Sequence, residues 1–138
     1  MIVLDTNVVS ELMRPSPDPA VVTWLRRQAG ESLVTTAITV AEVRFGLARL
    51  PDGRRAMELR QLADEVLGAF PGQVLPFDTA AAALYGDIAA ARERGGRPVD
   101  ALDAQIAAIC RAHSASLATR NTRDFVGTGV ELLDPWQS

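Results

Sequence analysis

Four acidic side chains, Asp5, Glu42, Asp103 and Asp124, each stand where a strand or turn hands over to a helix. Asp5 ends the opening apolar run Ile2-Val3-Leu4, and Thr6-Asn7 follow at once. In an open α/β sheet, ligands bind outside the carboxyl ends of the strands. An acid at that tip is well placed for chemistry and badly placed for simple solubility. Acids gathered at one point would form a carboxylate pocket, and such a pocket needs a divalent cation with a preference for oxygen ligands.

Each of these residues also has a structural use. Asp5 can cap the helix that begins near Asn7, in competition with Thr6. Glu42 has capping-box spacing from Thr39, and in that role it would return a hydrogen bond to the cap backbone. Asp103 heads the stripe Asp103, Ile106, Ala107, Cys110, which lies on one helical face. An ionised carboxylate rarely enters an apolar face unless paired or metal-bound, so Asp103 reads as functional. Asp100, one turn earlier, is either a cap or an outer acid of the same site. Asn121 and Asp124 follow the strand at 117–119; either can cap the turn leading to Phe125, and one of them faces the pocket.

Composition narrows the chemistry. All 14 basic residues are arginine. Without lysine there is no Schiff base, no Walker A lysine and no lysine to hold a transferred phosphoryl group, although a GC-rich genome would give the same bias. The single histidine, His113, lies late in a predicted helix as a surface or capping residue and rules out a two-histidine acid–base mechanism. Carboxylate plus metal remains for hydrolysis. The length of 138 residues, with 48% apolar and 22% charged side chains, indicates one globular domain over 1–138. No apolar run approaches the roughly 18 residues of a membrane span. The strand-then-acid opening is not a signal peptide, and one cysteine, Cys110, fits a reducing cytoplasm.

The elements that must position the acids follow from periodicity and caps. Residues 2–5 read as a buried parallel strand, and 7–13 as a short helix stopped before Pro15. Asp18-Pro19 opens a helix through Ala29, closed by Gly30. A strand at 33–35 precedes a helix opened by Thr39 and running to about Leu50. The Pro51-Asp52-Gly53 turn leads to a helix carrying Met57, Leu59, Leu62, Val66 and Leu67. Val74-Leu75 is a brief strand, Asp78 or Thr79 caps a long helix ending at Gly95-Gly96, and Pro98 opens a helix to about His113. A strand at 116–119, a helical turn at 122–125 and a strand at 130–133 close the chain. Strands alternating with helices imply an α/β fold with a mostly parallel sheet covered on both faces.

Taken in order, Leu4-Asp5-Thr6-Asn7, Thr39-x-Ala41-Glu42-Val43-Arg44-x-Gly46, Asp103-Ala104-x-Ile106-Ala107-Ala108 and Thr119-Arg120-Asn121-x-x-Asp124-Phe125 resemble the PIN-domain ribonucleases. The resemblance is to the VapC toxins and the related FitB-like proteins, and Asp134-Pro135-Trp136 resembles their common tail. It implies a three-layer α/β/α sandwich around a mostly parallel sheet and cleavage of RNA with Mg²⁺ or Mn²⁺. It also implies silencing by a cognate VapB- or FitA-like antitoxin, a homodimer, and higher hetero-oligomers with that antitoxin. By position, Asp5, Glu42 and Asp103 match the family's metal-ligating acids, with Thr6, Asn7, Thr119 and Asn121 in support. Asn121 stands where many relatives carry a fourth acid, leaving open whether Asp124 substitutes or three acids and an amide suffice.

The residues agree with that implication on their own terms. Lacking a histidine or lysine base, hydrolysis would draw its nucleophile from metal-activated water, and clustered carboxylates raise one another's pKa until a cation binds. A net charge of −3 is unusual for a nucleic-acid enzyme, but bound metal reverses the sign at the pocket. Arg120 and Arg123 are candidate RNA contacts; Arg92, Arg94 and Arg97 near the rim read equally as solvated helix ends. Trp24 and the 43–50 helix offer apolar surface to an antitoxin, or core packing. Two rivals stand beside this reading. One is a non-catalytic PIN-like module that binds RNA or a partner in a FitAB-like regulatory complex, favoured by Asn121. The other is a phosphohydrolase with Asp5 as nucleophile, opposed by Asn7 where such enzymes carry a second aspartate.

Overall fold

The computed structural model describes residues 1–70 and 73–137. Among the described residues, five strands form one sheet: β1 (Ile2–Leu4), β2 (Leu33–Thr36), β3 (Val74–Leu75), β4 (Ser116–Ala118) and β5 (Leu132–Leu133). Their order is β3-β2-β1-β4-β5, and each adjacent pair is parallel. The opening strand is therefore central, with Val3 paired to Val34 on one side and Leu117 on the other. Connections leave β1 toward β2 and enter β4 from the opposite direction, so the order reverses between β1 and β4. That reversal leaves a crevice at the carboxyl ends of the two strands.

Seven helices among the described residues cover the sheet: α1 (Thr6–Leu12), α2 (Pro19–Arg27), α3 (Ala37–Ala48), α4 (Arg54–Gly68), α5 (Thr79–Arg94), α6 (Ala101–Ala112) and α7 (Thr122–Phe125). Successive strand residues point to opposite faces, which explains why β1 is apolar throughout. Ile2 and Leu4 pack with Val8, Val9, Val21, Trp24, Val43, Leu47 and Ala63 from α1 to α4. Val3 packs on the other face with Ile88, Ile106, Ile109, Cys110 and Phe125. The result is the expected α/β/α sandwich. Trp24, Val43 and Leu47 are core residues, whereas Phe45 on α3 is 64% exposed and Met57 on α4 is 69% exposed.

Two expected helix starts shift. Thr36 caps α3, its hydroxyl accepting the Thr39 N–H at 3.1 Å. The Thr39-to-Glu42 capping box is therefore not made: β2 runs directly into the helix and the start falls three residues earlier. Pro98 likewise does not open α6. Asp100 does, accepting the N–H groups of Leu102 at 3.0 Å and Asp103 at 3.4 Å. A side-chain oxygen that satisfies free amides is a stronger start signal than a preset φ alone.

Arg92, expected near the solvated end of α5, is buried. Its Nε donates to the Arg97 carbonyl at 2.6 Å, and its Nη1 donates to the carbonyls of Asp124 at 2.9 Å and Val126 at 2.8 Å. One guanidinium thus ties the end of α5 to the connection that leads into α6, the helix of Asp103, and to the segment of α7 that carries Asp124. Hydrogen bonds from charged donors contribute about 1.5–3 kcal/mol each, and orphaned buried carbonyls add to their loss. Arg92→Met is expected to lower the unfolding free energy by about 2–4 kcal/mol in urea titrations. Arg92→Lys should recover only part, since one ammonium lacks the planar fork that reaches divergent carbonyls.

Candidate active site

Asp5 is the first residue beyond β1 and sits in the crevice between β1 and β4. It is 4% exposed. Its Oδ1 accepts the Thr6 N–H at 2.8 Å and its Oδ2 accepts the Thr119 hydroxyl at 2.8 Å, with Asn7 Nδ2 at 3.4 Å. The cap role and the pocket role thus coincide in one side chain. Asn7 binds the far wall as well: Nδ2 donates to Thr119 Oγ1 at 3.2 Å and Oδ1 accepts the Arg120 N–H at 3.1 Å. The Asn121 N–H closes the loop onto Thr119 Oγ1 at 3.0 Å. Thr119 is fully buried and is the hub of this wall.

Glu42 lies one and a half turns into α3 and does not return to the helix start. Its Oε1 accepts the Thr6 hydroxyl at 2.8 Å. Thr6 Oγ1 also lies 3.2 Å from Thr39 Oγ1, which in turn lies 3.4 Å from Thr36 Oγ1. Since Thr6 has one hydroxyl proton, donating it to Glu42 leaves Thr39 as donor to Thr6. Thr36 was not singled out in the sequence; its place at the end of β2 was the available signal.

Asp5, Thr6, Asn7, Ser10, Glu42, Asp103 and Asn121 line one cavity of about 400 Å³. Asp103 enters it from the first turn of α6. Asp124 is in a neighbouring cleft of about 160 Å³ with Asp100, Asp103 and Arg92. Asp103 therefore forms the wall between the two, and Asn121 takes the place at the pocket beside Asp5 and Glu42. Ser10 joins the pocket without having been expected; its i+3 spacing from Asn7 puts it on the same helical face. Arg120 and Arg123 are exposed on the flanking segment.

Electrostatics tie these acids together. Burial pushes the Asp5 carboxyl above its ordinary value, opposed by the Thr119 and Thr6 hydrogen bonds and reinforced by Asp124. Burial also raises Glu42, against the Thr6 hydrogen bond and with Asp5 and Asp100 adding repulsion. Asp103 rises to about 7, first through burial and then through Asp5, Asp100, Asp124 and Glu42. Cys110 behind the site is driven by burial to about 12, so it is a core thiol and not a nucleophile.

Among the described residues no three acidic, histidine or cysteine side chains converge tightly enough to form a ready cage for a metal ion. The donors present still fit a hard cation. They are all oxygens, carboxylates and an amide around a roomy pocket, and Mg²⁺ typically takes one or two carboxylates and keeps several waters. Burial first, and repulsion among the acids second, raise these carboxyls, and a bound cation would relieve both.

The PIN domain model matches residues 2–129. The chain belongs to the PIN-domain family. Among its relatives is the VapC ribonuclease Y4jK of Sinorhizobium fredii, 46% identical over 138 residues and 99% of each chain. Toxin FitB of Neisseria gonorrhoeae is 42% identical over 137 residues, again 99% of each chain. The solved structure of FitAcB from Neisseria gonorrhoeae superposes with a TM-score of 0.91 at 41% identity, covering 100% of both chains. The chain is thus a PIN domain of the VapC and FitB-like group, and its sandwich is the PIN fold.

The raised Asp103 carboxyl has a stability consequence. The folded state keeps a proton that the unfolded chain releases near 3.8. The metal-free protein therefore loses stability as pH climbs from about 4 to about 7, and the penalty is complete above that window. Three pH units in a dry site would represent about 4 kcal/mol, but Asp103 is half-buried and solvent screening reduces this to about 1–2 kcal/mol. In EDTA, Asp103→Asn is expected to raise the unfolding free energy by about that amount at pH 8 and to leave it unchanged near pH 3.5. Urea titrations at both pH values check this, and equal effects at the two would refute it.

Proposed function

We propose that this PIN domain is a divalent-metal-dependent endoribonuclease, the toxin of a toxin–antitoxin pair, with 1–138 acting as one catalytic domain. The observation that carries the reading is the single pocket at the β1/β4 crevice where Asp5, Glu42, Asp103 and Asn121 meet. The pocket combines oxygen donors, no histidine or lysine base, and carboxylates whose burial and mutual repulsion favour a bound cation.

In this reading Asp5, Glu42 and Asp103 hold Mg²⁺ or Mn²⁺, with Asn121 or Asp124 completing the set. The cation would offset the carboxylate charge, draw in the scissile phosphate and activate water for attack. The chain's own residues do the positioning. Thr119 and the Thr6 N–H fix both oxygens of Asp5. The Thr6 hydroxyl aims Glu42. Asn7 locks the Arg120 backbone against the pocket, so that Arg120, with Arg123 beyond it, flanks the path of an RNA backbone.

The likeness to FitAcB and to the VapC and FitB toxins favours a VapB- or FitA-like antitoxin as partner; a homodimer and larger assemblies of the two chains are part of the proposal. The exposed Phe45 and Met57 give such a partner apolar surface on α3 and α4. No described helix is long and apolar enough to cross a membrane; action in the cytoplasm is part of the proposal. A second reading, a non-catalytic binding module in a regulatory complex, draws on Asn121, which lines the pocket as an amide.

Antitoxin-free protein incubated with a pool of structured RNAs should cut them with Mg²⁺ or Mn²⁺ and not with EDTA. Asp5→Asn preserves volume and one acceptor oxygen while removing the charge. It is expected to lower the cleavage rate by more than about 100-fold with an unchanged circular dichroism spectrum. Wild-type rates in that variant would break the site assignment. Failure of folded wild-type protein to cut any RNA would favour the binding module.

A further inference from the structure

Arg120 follows Thr119, the hub behind Asp5, and precedes Asn121, which lines the pocket. Its backbone N–H is pinned by Asn7 Oδ1 at 3.1 Å, so the residue is anchored at the pocket wall while its side chain is exposed. That side chain does not wander into solvent. Its guanidinium carbon lies 5.0 Å from the centre of the Trp136 ring. Trp136 is itself held: its backbone N–H bonds Asp134 Oδ1 at 2.9 Å, and the indole packs on the α1–α4 core beside Leu133.

A guanidinium resting on an indole is ordered by a cation–π contact while keeping its outer face and N–H edges available. Ordering an arginine before binding removes part of the entropy that a ligand would otherwise have to offset. The two open features suit two parts of one nucleotide: the planar face stacks a base, and the N–H fork takes a phosphate. Arg92 offers a contrast, since its donors are spent on three carbonyls. A duplex keeps its bases stacked inside, so such a platform selects unpaired nucleotides.

We propose that Arg120 and Trp136 form a stacking subsite for an unpaired nucleotide of RNA flanking the bond that is cut. The proposal rests on the RNA-cleavage reading for the identity of the ligand. It adds that part of the hold on substrate comes from a platform outside the carboxylate pocket, built from Arg120 and Trp136.

Binding is measured on the full chain carrying Asp5→Asn, in Mg²⁺, so that it is read apart from cleavage. The probes are a short single-stranded RNA and its duplex, followed by anisotropy and by tryptophan fluorescence. Trp24 is buried in the core, so quenching on addition of RNA reports Trp136. Replacing the exposed Arg120 is not expected to disturb the fold. Arg120→Gln should weaken single-strand binding about tenfold and reduce the salt slope by about 1. Arg120→Lys, which keeps the charge and loses the plane, should restore the slope and not the affinity. The duplex should bind more weakly than the single strand and respond little to either change. Wild-type affinity in Arg120→Gln, full recovery in Arg120→Lys, or an unquenched Trp136 would each overturn the subsite. Absence of cleavage by the wild type alongside these binding effects would instead refute the nuclease reading and leave the subsite standing.

Discussion

A carboxylate taken out of water at the tip of the central strand is the constraint from which the rest of the site follows. Asp5 is almost wholly buried, and an isolated charge there would cost several kcal/mol. The fold meets part of that cost with donors from two directions, the Thr6 amide at the start of α1 and the Thr119 hydroxyl at the end of β4. Those donors can be supplied only where β1 and β4 lie side by side and their following segments diverge. The sheet order is thus the reason the acid can sit there. Thr119 must be buried, Asn7 must reach across to the β4 loop, and the loop must turn at Asn121 to bring its amide back to Thr119.

The compensation is incomplete. Burial and repulsion leave Asp5 and Glu42 raised and Asp103 at about 7. The surrounding structure has to be rigid enough to keep mutually repelling groups in place. Arg92 contributes by fastening the connection into α6 and the segment around Asp124 to the end of α5. On the other side, the continuous apolar character of β1 fixes the strand between two packed layers. Such a site is less stable than an apolar one would be, as is common where local rules yield to function.

Much of this was readable from residue order because its causes are local. An apolar β-branched run ending in an acid predicts a buried parallel strand with a charge at its tip, and Asp103 betrayed itself by heading a stripe that ends in the fully buried Cys110. The misplaced starts were local too, but contested. Thr39 reads as the start, yet Thr36 holds the cap, and only the length of β2 decides between them. Pro98 and Asp100 both suit a helix start, and the one with a side-chain acceptor prevailed. Arg92 was not legible at all. Its partners at 124 and 126 lie more than 30 residues away and are carbonyls, which every residue type supplies, so no pattern of side chains announces them.

Asn121 illustrates the limit of reading a site by charge count alone. An amide where the resemblance to the family leads one to expect an acid suggests a weakened metal site. In this pocket the carboxylates already repel one another: Asp103 is raised first by burial and then by Asp5, Asp100, Asp124 and Glu42. A further carboxylate at 121 would add to the same repulsion and draw more protons into the pocket before a cation could compete. An amide oxygen is a competent ligand for a hard cation and brings no charge to be desolvated. The substitution therefore exchanges Coulombic attraction for a lower cost of assembling the empty pocket. Asp124 stands one cleft away, on the far side of Asp103, where it adds negative potential and still repels Asp5 without lining the pocket itself.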